Sequence, residues 1–119
     1  MKESLIQSAI EQYLKYQENL GKLIYIKNNS GAMPVMHGDK RSYFRFGKPG
    51  SPDFLIFLPQ GQVIHMEVKN EKGKLNDNQI NYKASIEKLG HSYCVVRSVE
   101  GAENILKNLK PIKPDKTNY

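Results

Sequence analysis

Cysteine is almost missing from this chain. Cys94 stands alone, so no internal disulfide can form, and nothing marks the protein for an oxidising compartment. Set in the apolar run Tyr93-Cys94-Val95-Val96, it reads as a buried, quiet thiol rather than a nucleophile. No apolar stretch approaches the length of a membrane span, and the N-terminus has no signal-peptide pattern. A cytosolic setting with no membrane partner is therefore expected. His37, His65 and His91 lack the spacing of zinc ligands, and no repeat or low-complexity segment occurs. Acids are the scarcer charge, 12 against 18 Lys and Arg. The resulting net charge of +6 favours a polyanionic partner, nucleic acid first.

What is present suits one soluble domain: 119 residues, 39% hydrophobic and 25% charged, enough for one core but not two. Residues 3 to about 19 carry Ile6, Ile10, Tyr13 and Leu14 on one helical stripe that Gly21 ends. Leu23 to Ile26 reads as a strand. Residues 28–52 read as a long polar loop, of the length usual for a functional segment, with a short strand at Tyr43 to Phe46. Strands are expected at 53–58 and 63–69, joined by Pro59-Gln60-Gly61-Gln62. Asn76 and Gln79 have capping-box spacing for a helix running to Leu89, where Gly90 stops it. A strand from Tyr93 to Arg97 follows, then a helix capped by Ser98 and ended by Pro111. The order α-β-β-β-α-β-α predicts an α/β fold with a mixed central sheet flanked by helices on both faces. The domain is expected over residues 1–110, with 111–119 as a basic, flexible tail containing Lys113 and Lys116.

The hairpin at 53–69 carries the chemistry. Opposed residues in a hairpin have a constant index sum, so a turn centred on Gln60 and Gly61 sets Asp53 opposite Val68. A turn looser by one residue sets it opposite Glu67. In either register two acids and Lys69 meet at one end of the sheet. Alternation sends Glu67 and Lys69 to one face and Ile64, Met66 and Val68 to the other. A lone Glu-x-Lys on a strand is normally a solvated face. Here Asp53 opens a nearly all-apolar strand, a poor place for an unpaired charge. Two carboxylates beside an ammonium suit a hard divalent cation and a phosphodiester, and oxygen ligands suit Mg²⁺, with Mn²⁺ as substitute. Lys40, Arg41, Arg45 and Lys48 precede this hairpin, and Lys72 and Lys74 follow it, as candidate phosphate contacts. Tyr43, Phe44 and Phe46 are either base-stacking platforms or the packing of a short hairpin. His65, two residues before Glu67, is read as a satisfied neighbour rather than a ligand.

Pro52-Asp53 followed by Glu67-Val68-Lys69 resembles the signature of the PD-(D/E)xK nuclease superfamily. The fuller string resembles the virus-type replication-repair nuclease (VRR-NUC) domain. It comprises Arg45 to Asp53, Glu67 to Lys69, Gly73-Lys74-Leu75 with Gln79, and Val95 to Glu100. The likeness runs from about Glu3 to Leu106, closest to the small stand-alone phage-type members. It implies a restriction-endonuclease-like three-layer fold and a metal-dependent endonuclease of branched DNA, four-way junctions included, acting as a homodimer without an organic cofactor. It implies a phage or prophage source. By the same resemblance, Asp53, Glu67 and the Val68 backbone carbonyl hold the metal. Lys69 positions or deprotonates the attacking water, or stabilises the pentacovalent state, with Gln79 beside it. A first-helix glutamate reaches the metal directly or through water. Glu3, on the Ile6–Gln7–Ile10 face, is favoured over Glu11, which is otherwise a solvated surface residue. The competing readings are a general or sequence-specific nuclease of the same superfamily and a catalytically silent DNA-binding module. Base-reading elements have little room in 119 residues, and an intact acid-acid-lysine set argues against a silent site.

Overall fold

A computed structural model describes residues 1–109; the proposed basic tail and the Pro111 helix stop lie outside those residues. Its elements are α1 (Glu3–Asn19), β1 (Ile24–Lys27), β2 (Gly31–His37), β3 (Lys40–Phe46), β4 (Phe54–Phe57), β5 (Val63–Val68), α2 (Asp77–Lys88), β6 (Ser92–Val96) and α3 (Val99–Lys107). Four strands form one sheet in the order β1-β4-β5-β6. β4 runs antiparallel to both β1 and β5, and β6 is parallel to β5. A parallel neighbour needs a crossover, and α2 supplies it.

Strand alternation gives the sheet two different faces. Phe54 and Ile56 pair with Met66 and Ile64, and Val68 pairs with Val96. These side chains join Ile6, Ile10 and Leu14 of α1 and Ala102 of α3 in one core. Each fully buried aliphatic side chain there contributes about 1.5–3 kcal/mol. The opposite face carries His65, Glu67 and Tyr93 against Tyr82 of α2. That layer is aromatic and polar, and α2 has no fully buried residue. A mixed sheet with α1 and α3 on one face and α2 on the other is the expected architecture.

The caps agree with the sequence. The Asn76 side chain accepts from the Gln79 N–H at 2.9 Å, and the Gln79 side chain accepts from the Asn76 N–H at 3.0 Å. Ser98 accepts from the Gly101 N–H at 3.0 Å, and such caps are worth about 1 kcal/mol each. α3 ends at Lys107, and Leu109 packs on the core beyond it.

The long loop expected over 28–52 is instead largely a second sheet. β2 and β3 form a two-stranded ribbon around a two-residue Gly38-Asp39 turn, since His37 pairs with Lys40. All of β3 is exposed, and all of β2 except the half-buried Val35. Because the ribbon buries neither face in the domain, it lacks the in–out alternation by which strands are recognised. Pro34 further disguised β2. A proline is tolerated there because a two-stranded ribbon has two free edges.

Candidate active site

Register decides the first question. The pairs Phe54–Met66 through Phe57–Val63 share one index sum, and one further step sets Asp53 directly opposite Glu67. The looser of the two expected turns is the one that forms. Both carboxylates, with Lys69, therefore stand on the face that α2 covers.

The proline before Asp53 has a structural consequence. Hydrogen-bonded positions alternate along the β4–β5 ladder, and the next would join Pro52 to Val68. Proline has no N–H to give. That leaves the Val68 carbonyl without its ladder donor, while the Val68 N–H donates to Asp53 Oδ2 at 2.8 Å, fixing that carboxylate at the strand end. The Lys69 N–H bonds the Val96 carbonyl at 3.0 Å, on the β6 side. In a trans peptide the carbonyl points opposite its N–H, so the Val68 carbonyl points away from β6, toward Asp53. Asp53 is braced from the other edge as well. The Asn28 N–H donates to the Asp53 carbonyl at 2.8 Å, and Asn28 Nδ2 donates to Ser51 Oγ and the Pro52 carbonyl, each at 2.8 Å.

Glu67 is 3% exposed. Its Oε2 accepts from Gln79 Nε2 at 2.9 Å and lies 3.5 Å from Lys69 Nζ. Gln79 thus caps α2 through its oxygen and holds Glu67 through its nitrogen. Burial first, then repulsion from Asp53, pushes Glu67 up to about 7 against the pull of Lys69. Asp53 is raised too, by burial first and also by the charge of Glu3, with the Val68 N–H and Lys69 opposing. Lys69 alone does not cancel this pair. The Asp53 and Glu67 carboxylates and the Val68 carbonyl are oxygen donors that one ammonium leaves with net negative charge, which fits a hard divalent cation.

The two first-helix acids separate cleanly. Tyr25 and Lys27 face α1, on the side of the sheet away from the carboxylate pair. Glu11 accepts from the Tyr25 hydroxyl at 3.1 Å and lies 3.7 Å from Lys27 Nζ, so it is a partnered rather than a solvated residue. Glu3, at the start of α1, exerts its charge on both Asp53 and Glu67. It does not close on them as a third ligand: among the described residues no three His, Cys, Asp or Glu side chains cluster tightly enough to hold a metal.

Of the basic candidates, Lys40, Arg41 and Arg45 lie on the ribbon. Lys48 lies in the loop between the ribbon and Asp53, and Lys72 and Lys74 in the loop between Lys69 and α2. Three features escaped the sequence reading. Arg97 Nη1 donates to the carbonyls of Asn70, at 2.5 Å, and Gly73, at 2.9 Å, clamping the chain just after Lys69. Asn28 braces Asp53 from across the loop. His91, read only as lacking zinc-ligand spacing, joins His65 Nε2 at 2.9 Å, while His65 Nδ1 meets the Tyr82 hydroxyl at 2.9 Å. His65 is satisfied as expected, and burial, then His91, lowers its pKa. Cys94 is a half-buried thiol that burial pushes up to about 12, which makes it a poor nucleophile.

The family model of the VRR-NUC domain matches residues 2–100. The chain belongs to the VRR-NUC family. A solved structure described as a VRR_NUC domain superposes with a TM-score of 0.59 at 23% identity, covering 87% of this chain and 97% of that one. That likeness establishes the fold. No curated protein sequence matches. VRR-NUC domains are nucleases of the PD-(D/E)xK type, so the activity is hydrolytic, the partner is DNA, and divalent-metal dependence is the general rule of the family.

Proposed function

We propose that this protein is a Mg²⁺-dependent endonuclease that cuts branched DNA, including four-way junctions, as a homodimer. The observation that carries the reading is the register that sets Asp53 opposite Glu67 with Lys69 beside them. Asp53, Glu67 and the Val68 carbonyl would hold the cation, with Glu3 contributing through water. A bound divalent cation would neutralise charge developing on the phosphoryl oxygens and assist the leaving oxygen. Lys69, tethered by Glu67, holds the attacking water or a phosphoryl oxygen in place. Gln79 fixes the Glu67 carboxylate, and Arg97 fixes the loop that follows Lys69. Lys40, Arg41, Arg45, Lys48, Lys72 and Lys74 contact the DNA backbone on both sides of this centre.

Support for the dimer comes from the ribbon. Paired residues share a face, so Phe46, Met33 with Phe44, and Val35 form an apolar surface. Met33 and Phe44 are 54% and 60% exposed. A lone two-stranded ribbon is marginal in water, and stacking on its twofold copy would cover this surface. Two copies would also present two active sites to a substrate of similar symmetry. The test is cleavage of a labelled four-way junction, a flap and a linear duplex, with Mg²⁺, Mn²⁺, Ca²⁺ or excess chelator. Junction cutting with Mg²⁺ or Mn²⁺, binding without turnover in Ca²⁺, and silence in chelator are expected. Equal cutting of all three substrates overturns the branched-DNA reading, and undiminished cutting in chelator overturns the metal mechanism.

A further inference from the structure

The ribbon's second face differs from its first. The pairs Ala32–Arg45, Pro34–Tyr43 and Met36–Arg41 share it, so Arg41, Tyr43 and Arg45 form one line with the ring in the middle. Four residues of strand separate the two arginines by about 13 Å. Tyr43 is 62% exposed. The ribbon contains a single acid, Asp39, against Lys40, Arg41 and Arg45, and none of these three cations forms an ion pair among the described residues. An exposed ring between two unneutralised guanidinium groups is energetically idle in the free protein. It matches the recognition of a single strand, in which cations hold the backbone and an aromatic ring takes a base.

The base of the ribbon supplies an independent indication. An open cleft of about 440 Å³ there is lined by Ala32, Arg45, Gly47, Pro49, Gly50 and Asn78. Asn78 precedes Gln79, whose amide holds Glu67. The arginine line therefore leads, through Arg45, into a concavity lined by Asn78, the residue before the glutamine that holds Glu67.

We propose that Tyr43 stacks on an unpaired base of the DNA substrate while Arg41 and Arg45 hold its backbone, so that this face of the ribbon selects DNA with a single-stranded segment next to the cut. The proposal rests on the nuclease reading for the identity of the DNA and adds a preference, among branched DNAs, for those with unpaired bases at the branch. A base inside a duplex has its faces covered by its neighbours and offers Tyr43 nothing. Fully paired DNA engages the arginines alone.

The test measures binding in Ca²⁺, without turnover, to a duplex with a short gap carrying 2-aminopurine and to the same duplex fully paired. Tyr43→Ala is expected to weaken binding to gapped DNA roughly tenfold, as loss of one base–aromatic stack does. Its affinity for paired DNA should stay within about twofold. Tyr43→Phe keeps the ring and should retain both the affinity and the 2-aminopurine quenching that Tyr43→Ala loses. Arg41→Gln should weaken both DNAs alike and flatten the salt dependence. Tyr43→Ala binding gapped DNA as tightly as the unaltered protein, or losing equally on both DNAs, overturns the proposal. If the protein cuts no DNA with any metal yet shows this binding pattern, the nuclease reading fails and the Tyr43 assignment stands.

Discussion

The carboxylate pair and the ribbon lie close in sequence but are built on opposite principles. Asp53 is held by the Val68 N–H, by Asn28 across the loop and by the register of two core strands. Glu67 is held by Gln79 and Lys69. The ribbon has its own ladder and little else, with almost every side chain in solvent. Fixed geometry belongs where atoms react, because misplacement by about 1 Å can cost on the order of 10²-fold in rate. Adaptable surface belongs where a partner of variable shape must be met. The site is thus expected to be sensitive in rate and the ribbon in affinity and assembly.

The largest effects should come from the site. Asp53→Ala, Glu67→Gln and Lys69→Ala are each expected to lower cleavage by on the order of 10³-fold or more while DNA binding persists. Glu67→Gln should also melt higher than the unaltered protein in chelator, by on the order of a few °C. The sign follows from the raised pKa. Glu67 titrates near 7 in the folded protein against an ordinary value of 4.5, so the folded state favours the protonated form. The charged carboxylate then costs stability that is absent at low pH and grows as pH rises from about 4.5 through 7. The gain from glutamine should be larger at pH 8 than at pH 5. Calorimetry showing the reverse pH trend would break the link between burial of the acid pair and the raised pKa of Glu67.

A smaller effect should come from the joint between the two regions. Gly50 has φ +82, and a Cβ there would lie 2.1 Å from the Asn78 carbonyl oxygen in the first turn of α2. Gly50→Ala must push that turn away and take Gln79 with it. It is expected to cost a few kcal/mol and to reduce cleavage by about 10²-fold. Gly61 makes a matched control: its φ is +77, but a Cβ meets nothing within 4 Å. Gly61→Ala should show only the left-handed backbone cost, about 1–2 kcal/mol, with cleavage unchanged. Equal loss of activity in both variants would mean that Gly50 matters for its backbone conformation and not for its contact with α2.

The same contrast explains what the sequence disclosed. The 53–69 hairpin was legible because its strands bury a face, and burial writes alternation into the residues. The Asn76–Gln79 box and the Ser98 cap were legible because both are local. β2 was not, since a strand with no core to face shows no pattern and Pro34 argued against it. Arg97 with Asn70 and Gly73, Asn28 with Pro52, and His65 with His91 join residues 24 to 27 positions apart. No local periodicity records such pairs. Glu3 was preferred by helical face, but the engagement of Glu11 by Tyr25 and Lys27, 14 and 16 positions away, was not legible.

The smallest expected change in stability belongs to the ribbon's apolar face, and there the comparison can be made sharpest. Met33 and Phe44 pair across the ribbon and are more than half exposed, so replacing both with serine removes no contact within the core. Exposed substitutions of this kind stay within about 0.5 kcal/mol each. In dilute solution the melting temperature should therefore move by no more than about 2–4 °C. The same pair of substitutions should convert dimer to monomer in sedimentation, because an apolar surface covered only in the assembly contributes only there. Four-way junction cleavage should then fall while single incisions in gapped DNA continue, since each copy keeps a complete carboxylate pair. A double variant that remains dimeric but melts many degrees lower would show the reverse arrangement, with the apolar face folded against its own domain and the twofold contact made elsewhere.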